Sequence, residues 1–219
     1  MRITSLQTQA TNPDRINVFA DDHFLLGVNG LIALQMGLEV GQELTPALLE
    51  QLRSEEALQK AVDRALNYLS FRPRSREEVQ RYLRRKETPP ELIERVMERL
   101  DRLDLVNDRA FASFWIESRE HFSPRGARAL KNELRMKGVE REVTDELVTD
   151  EKDEERALLA GQKKAYSLAR LPDVDFATFR TRLGSFLQRR GFGYEITART
   201  VRKLWQDLKD QEADDDFEQ

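Results

Sequence analysis

The feature that most constrains this chain is an internal repeat of about fifty residues that begins near Ala61. Each copy contains a short amphipathic segment that ends in basic residues, and the central leucines of the three segments are Leu83, Leu134 and Leu187. These leucines are spaced 51 and 53 residues apart. Such a period is typical of one supersecondary unit that is repeated and stacked, because a single unit cannot bury its apolar face alone. Any function is therefore expected on the surface of a repeat array.

Each repeat is predicted to contain three helices. Ser75 and Glu78 fit a capping box at the start of the middle helix of the first repeat. Gly138 and Gly191 suit the left-handed residue that ends the middle helix in the other two repeats, where the first repeat has Glu87. In the first repeat, the predicted helices cover 61–69, 75–86 and about 88–103. In the second repeat, one helix follows residue 107 and another covers about 123–138. In the third repeat, the predicted helices cover 154–169, 175–190 and 194 to about 209.

The first sixty residues have a different pattern. Alternating apolar residues predict strands at 16–19 and 23–28 around a polar turn, and a further strand within 2–9. A short helix is predicted at 31–36 with Gly37 as its end, and Thr45 and Pro46 are typical of the start of another. The predicted fold is mainly α: three tandem three-helix repeats forming an elongated curved array, with a small N-terminal β-hairpin and helix region. The expected divisions are a cap at 1–60, repeats at 61–106, 107–152 and 153–209, and a disordered acidic tail at 210–219.

Composition argues against several classes of protein. The 219 residues include no cysteine and only two histidines, and no zinc-protease or phosphate-loop motif is present. No apolar run approaches the length of a membrane span, and no signal peptide precedes the first strand. We therefore expect a cytoplasmic protein that is not an enzyme, has no membrane contact and needs neither a cofactor nor a metal ion of its own.

Charge is distributed unevenly along the chain. Residues 1–60 carry a net charge of −4, residues 61–209 carry +6 and residues 210–219 carry −6. A basic array between two acidic regions indicates contact with nucleic acid or with an acidic protein surface. The tail is predicted to be a solubilising end, and the alternative is that it folds back on the basic face as a phosphate mimic.

Basic residues recur around the middle helix of every repeat. On a helix, Arg128, Lys131 and Arg135 share one face, while Leu130 and Leu134 share the buried one. Stacked repeats would align such faces into a stripe that suits a phosphate backbone or an acidic groove, whereas the alternative is that each cation pairs with a neighbouring glutamate. The candidate binding residues are Arg72, Arg74, Arg84, Arg85, Lys86, Arg125, Arg128, Lys131, Arg135, Lys137, Arg189 and Arg190.

Gly126 is expected in the first turn of the middle helix of the second repeat. Glycine inside a helix costs up to about 1 kcal/mol relative to alanine, so its presence needs a reason. Either a neighbouring helix packs closely against it, or the exposed amides of the first turn bind an anion. Packing is the simpler interpretation.

Several of these phased motifs resemble the RecX-type recombinase regulators. The segment 107–112, with Arg119, Gly126 and the segment 133–138, resembles the central repeat of that family. The segment 65–86 is similar to its first repeat, and the N-terminal region is similar to an extension that some members carry. The third repeat diverges, since Phe179 stands where Gly126 would align.

The resemblance implies a function that composition cannot supply. Members of this family bind the RecA recombinase filament along its helical groove, and they modulate, mostly inhibit, its ATPase and strand exchange in recombinational DNA repair. The implied partners are the RecA filament and single-stranded DNA, and a monomer is expected. The alternative is a helical module that binds single-stranded DNA on its own.

Overall fold

The computed structural model describes residues 1–172 and 174–217, with side chains described up to Gln211. Within these residues the chain forms three strands and ten helices. Contacts between residues divide it into two compact units, one of residues 1–72 and 79–105 and the other of 73–78 and 106 onward. The elements are β1 Ile3–Gln9, β2 Asn12–Ala20, β3 His23–Asn29, α1 Gly30–Gln35, α2 Pro46–Leu69, α3 Arg76–Arg85, α4 Pro90–Arg102, α5 Asp108–Phe122, α6 Ala127–Met136, α7 Arg141–Leu147, α8 Asp153–Ala169, α9 Phe176–Arg189 and α10 Tyr194–Phe217.

The first unit begins with an antiparallel meander in the order β1-β2-β3. Its hairpin turn uses Asp21 and Asp22, whose positive φ angles of 47° and 63° match the right-handed twist of the flanking strands. Val18 and Val28 are fully buried beneath α1 and α2. The three predicted strands and the helix that ends before Gly37 are all present, with Gly37 at a φ of 60°.

Helix α2 corrects the prediction that a separate helix begins at Ala61. A single helix runs through this position, from the Thr45 cap to Leu69, because no glycine or proline interrupts it. Glu56 fixes its middle against the sheet: the buried carboxylate accepts a bond of 2.7 Å from Arg15 and another of 2.8 Å from the Asn29 amide. The expected boundary at residue 60 therefore falls inside a helix.

The three leucines that define the repeat are all fully buried. Leu83, Leu134 and Leu187 are each 0% exposed, in the middle helices α3, α6 and α9. The residues that follow these helices also correspond: Glu87, Gly138 and Gly191 have φ angles of 56°, 83° and 89°. The predicted mainly α fold, with three-helix repeats and a small N-terminal sheet, is confirmed. Phe179, the point of divergence in the third repeat, is a fully buried core residue.

Two helix ends differ from the predictions. Helix α10 continues beyond residue 209 to Phe217, because Gln211 and its neighbours contain no helix-breaking residue. Residues 210–217 of the expected disordered tail thus have a helical backbone, whereas residues 218–219 lie outside the described part. Gly126 is not inside the first turn but directly before α6, with a φ of −69° and a ψ of 155°.

The second unit contains the same junction between successive repeats twice. The first amide of each middle helix is capped by an aspartate that begins the next repeat: Arg76 N donates to Asp108 Oδ1 at 2.8 Å, and Ala127 N donates to Asp153 Oδ1 at 2.9 Å. These caps satisfy amides that no helical carbonyl can reach. The second cap also fixes the start of α6 relative to α8.

The second half of the junction joins the start of one middle helix to the end of the next. Ser75 Oγ donates to the Lys137 carbonyl at 2.5 Å, and Gly126 N donates to the Arg190 carbonyl at 3.0 Å. Gly126 has no side chain because a Cβ there would lie 2.5 Å from the Gly191 carbonyl oxygen. Of the two interpretations of this glycine, close packing is the one that the structure supports.

Candidate nucleic-acid interface

Three arginines of the second unit line one shallow groove beside α6. Arg128 and Arg135 project from α6, and Arg189 lies at the end of α9. All three are exposed, and the groove between them has a volume of about 410 Å³. Ala129 and Gly191, which meet at the repeat junction, contribute to its lining. We call this surface the arginine groove and define it by Arg128, Arg135 and Arg189.

The arginine groove has no acidic side chain in its lining. Its polar members besides the arginines are Asn132 and Gln188, which are uncharged amides. Within the described residues, no carboxylate forms an ion pair with any of the three arginines. Arg128 and Arg135 also line a neighbouring groove of about 560 Å³ that contains Asp145, Asp150 and Asp153. On the side of the arginine groove, where no carboxylate lies, the three guanidinium groups favour binding of a phosphate or carboxylate.

Lys131 lies on the same face of α6 but is held by α7. Its Nζ is 2.8 Å from Asp145 Oδ1, and the other carboxylate oxygen of Asp145 accepts a bond of 3.2 Å from Arg141. These two hydrogen bonds lower the pKa of Asp145. The predicted face of three cations therefore contains two arginines without an acidic partner and one lysine in an ion pair.

Lys137 is used within the junction between repeats. Its Nζ lies 2.6 Å from Glu78 Oε1 and 4.0 Å from the centroid of the Trp115 ring. The guanidinium of Arg119 is 4.4 Å from the same ring centroid. Because its ammonium group pairs with Glu78 and lies over the Trp115 ring, Lys137 positions α6 and contributes little free charge to the surface.

Arg125 and Arg190 also have internal partners. Arg125 Nε is 3.0 Å from Glu133 Oε1, and Arg119 Nε donates to the other oxygen of Glu133 at 2.7 Å. Arg190 donates to the Pro124 carbonyl at 3.1 Å. Burial, and to a smaller extent the nearby charge of Arg125, lowers the pKa of Arg190. These two residues stabilise the turn before α6.

The remaining predicted residues fall in two places. Arg74 lies in the second unit, whereas Arg72, Arg84, Arg85 and Lys86 lie in the first. Arg84 donates to Gln80 Oε1 at 3.3 Å, and Lys86 Nζ is 5.9 Å from the centroid of the Tyr82 ring. Arg85 is exposed, and Arg72 and Arg74 are half-buried.

A buried polar network at the base of α6 was missed in the sequence. Asp153 is only 4% exposed, yet its carboxylate binds the Ala127 amide and Arg156. Arg156 also donates to Glu120 Oε1 at 2.7 Å. Burial raises the pKa of Asp153 and outweighs these partners, which act in the opposite direction. The available signal was that Asp108 and Asp153 both begin the first helix of a repeat.

The described residues include no cluster of metal-ligating side chains and no membrane-spanning helix. No group of three or more histidine, aspartate or glutamate side chains within them could hold a metal ion. The search of the same residues finds no helix that is both long and apolar enough to cross a membrane.

Matches to known families cover most of the N-terminal two thirds of the chain. Residues 61–100 match the family described as RecX, first three-helix domain, and residues 107–147 match RecX, second three-helix domain. Residues 1–45 match the regulatory protein RecX N-terminal domain.

Individual relatives and solved structures agree. The regulatory protein RecX of Bacillus subtilis (strain 168) is 28% identical over 202 residues, which cover 92% of this chain and 76% of the relative. That of Listeria monocytogenes serovar 1/2a is 31% identical over 154 residues, which cover 70% of this chain and 57% of the relative. A crystal structure of regulatory protein RecX has the same fold, with a TM-score of 0.72 at 22% identity over 89% of this chain and 96% of that one. The structure of RecX from Lactobacillus salivarius has a TM-score of 0.57 at 27% identity over 70% of this chain and 99% of that one. With its repeats, their junctions and these matches in agreement, the chain belongs to the RecX family of regulatory proteins.

Proposed function

We propose that this protein binds the RecA recombinase filament on single-stranded DNA and restrains its ATPase and strand exchange. It does so as a monomeric, non-enzymatic partner in the cytoplasm, where the filament forms. Membership of the RecX family supports a regulatory role. The arginine groove supports the proposed contact surface, because its Arg128, Arg135 and Arg189 have no acidic partner among the described residues.

The geometry of the groove suits a filament that carries both phosphates and acidic protein side chains. A guanidinium is planar and presents a fork of donors that matches phosphate or carboxylate oxygens in a bidentate manner. Arg128 and Arg135 stand on a helix that Asp153 caps, and Arg189 stands on a helix held to it through Gly126 and Gly191. Because the junction fixes the helices that carry these arginines, less conformational freedom is lost when a partner binds.

The test is a titration of this protein into RecA that is hydrolysing ATP on single-stranded DNA. The variant Arg128→Ala/Arg135→Ala/Arg189→Ala should need roughly tenfold more protein for half-inhibition, since three exposed ionic contacts at about 0.5 kcal/mol each amount to a factor of about ten. The variant should keep its helical circular dichroism, because no buried group is removed.

A matched control separates the groove from net charge. Arg53, Arg64 and Arg102 are exposed in the first unit, and changing all three to alanine lowers the net charge by the same amount. This control should inhibit RecA as wild type does. If the groove variant inhibits RecA as well as wild type does, the groove is not the contact surface. The same conclusion follows if the control variant loses as much inhibition as the groove variant.

The second candidate function is binding of single-stranded DNA without RecA. It is favoured by the same three arginines, which could track a phosphate backbone. It predicts a salt dependence of about −0.7 per neutralised phosphate in a plot of log affinity against log salt. If RecA inhibition begins only when the DNA is saturated with this protein, competition for DNA explains the effect. If it begins at far lower concentration, direct contact with the filament explains it.

A further inference from the structure

The middle and third helices of the third repeat, α9 and α10, leave a groove open between them. The equivalent groove of the second repeat, between α6 and α7, is also open, but charged side chains occupy its centre. In the second repeat, Lys131 on α6 and Asp145 on α7 are joined across this position by their ion pair of 2.8 Å. The leucines of the two repeats are offset by 53 residues, so the equivalent residues are Gly184 and Ala198. Neither has a side chain beyond Cβ, and both line the open groove.

The resulting cavity has a volume of about 370 Å³ and a polar, cationic rim. We call it the third-repeat groove. Arg180 and Arg202 are exposed at its edge, and the amide of Gln188 contributes to its lining. Tyr194, the first residue of α10, also lines it and is 80% exposed. A large ring held at the mouth of a cavity beside two guanidinium groups is typical of a site that stacks a planar ligand.

The hydroxyl of Thr197 is a second, independent observation that points to a ligand in the third-repeat groove. Thr197 lines the groove and is only 4% exposed, but its buried hydroxyl has no hydrogen-bond partner among the described residues. An unsatisfied buried hydroxyl is costly in a folded protein. Threonine in a helix has two accessible χ1 rotamers, so rotation about Cα–Cβ can change the direction of the hydroxyl when a ligand binds.

We propose that the third-repeat groove binds one unstacked nucleotide of single-stranded DNA. The base stacks on Tyr194, its edge meets the Gln188 amide and the Thr197 hydroxyl, and the flanking phosphates pair with Arg180 and Arg202. Unstacked bases are recognised in this way by aromatic rings and polar side chains. An acidic peptide would use the two arginines but would leave the exposed ring without a role. The inference rests on the proposed function for its biological setting, and it adds a site for a base, which the arginine groove does not provide.

The first test introduces the charged side chains of the second repeat into the third-repeat groove, where they reduce the space for a base; we call this the filled variant. The double variant Gly184→Lys/Ala198→Asp leaves the net charge unchanged and recreates the pair that ties α6 to α7. A Cβ at Gly184 meets only Thr197 Cγ2, at an ordinary 3.7 Å, and lysine is a better helix former than glycine. The variant should therefore melt no lower than wild type.

The readout is fluorescence anisotropy of a labelled oligothymidylate and of an abasic oligonucleotide of the same length, without RecA. Wild type should bind the thymidine oligomer about 5- to 150-fold more tightly, the range expected for stacking of one base. The filled variant and Tyr194→Ala should lose this preference, and Tyr194→Phe should keep it because the ring remains. Affinity for the abasic probe should change little in Tyr194→Ala.

Two results would overturn the inference. The first is equal binding of the two probes by wild type. The second is a preference that persists in the filled variant; if that variant also no longer inhibits RecA ATPase, the third-repeat groove binds a protein segment instead. Because the anisotropy experiment contains no RecA, its failure is distinguishable from failure of the proposed function, which the ATPase titration tests alone.

Discussion

Changing Gly126 to alanine tests whether the junction between the second and third repeats is as close-packed as its geometry indicates. The backbone at this position is accessible to any residue, so alanine introduces no torsional strain. Its Cβ would, however, lie 2.5 Å from the Gly191 carbonyl oxygen and 2.8 Å from the Phe192 amide nitrogen. Both are backbone atoms that cannot rotate away, so α6 must move relative to the end of α9.

The expected cost is that of overpacking a well-packed site, about 1–3 kcal/mol in the free energy of unfolding. Two smaller effects roughly cancel: alanine restricts the unfolded chain by about 0.4–1 kcal/mol, and it is a poorer residue than glycine directly before a helix. In a chain of this length, 1 kcal/mol corresponds to about 2–4 °C, so the Tm should fall by roughly 2–12 °C.

Thermal unfolding followed by circular dichroism measures this change, and Gly193→Ala is the matched control. Gly193 stands directly before α10 as Gly126 stands before α6, but a Cβ there meets no atom within 4 Å. The control therefore carries the same cap and unfolded-state effects without the clash, and it should stay within about 0.5 kcal/mol of wild type. Equal melting of the two variants would refute the close junction. Because the junction also fixes the helices that carry Arg128 and Arg189, Gly126→Ala should weaken RecA inhibition as well.

Three further perturbations test other parts of the second unit. Asp153→Ala removes the cap on the Ala127 amide and one partner of Arg156, and should lower the free energy of unfolding in urea by about 1–3 kcal/mol; an unchanged urea midpoint would contradict the capping role. Thr197→Val replaces a hydroxyl that has no partner among the described residues by a methyl group of similar shape. It should raise the free energy of unfolding by roughly 1 kcal/mol and weaken oligothymidylate binding. A loss of stability would contradict this, because it would mean that the hydroxyl has a partner in the folded protein. The lowered pKa of Asp145 means that its ionised form stabilises the fold above the ordinary aspartate pKa, and that this contribution is lost as the pH falls through the lowered value. Asp145→Asn should therefore lose slightly less stability in urea as the pH falls below the ordinary aspartate pKa of about 3.9. The same loss of stability in the variant and in wild type would exclude the effect.

The local features of the fold were predictable from the sequence. The spacing of Leu83, Leu134 and Leu187 predicted the buried face of each middle helix, and Thr45 was recognised as the start of a helix and accepts the expected backbone bond. Such signals involve residues three or four positions apart, which helical geometry brings together in any context. The continuity of α2 was readable from the same local signals, since no glycine or proline interrupts it, but the contacts of Glu56 that hold its middle against the sheet were not.

Tertiary structure alone decided which of the predicted basic side chains have an acidic partner. Arg135 and Lys137 are two residues apart and looked alike in sequence, yet Lys137 pairs with Glu78, 59 positions away, while Arg135 forms no ion pair within the described residues. The cap on Ala127 comes from Asp153, 26 positions away. The sequence by itself therefore determined the helices, their buried faces and the family. Only the packing of distant segments decided which positive charges remain available, because an ion pair depends on a partner whose position no local pattern encodes.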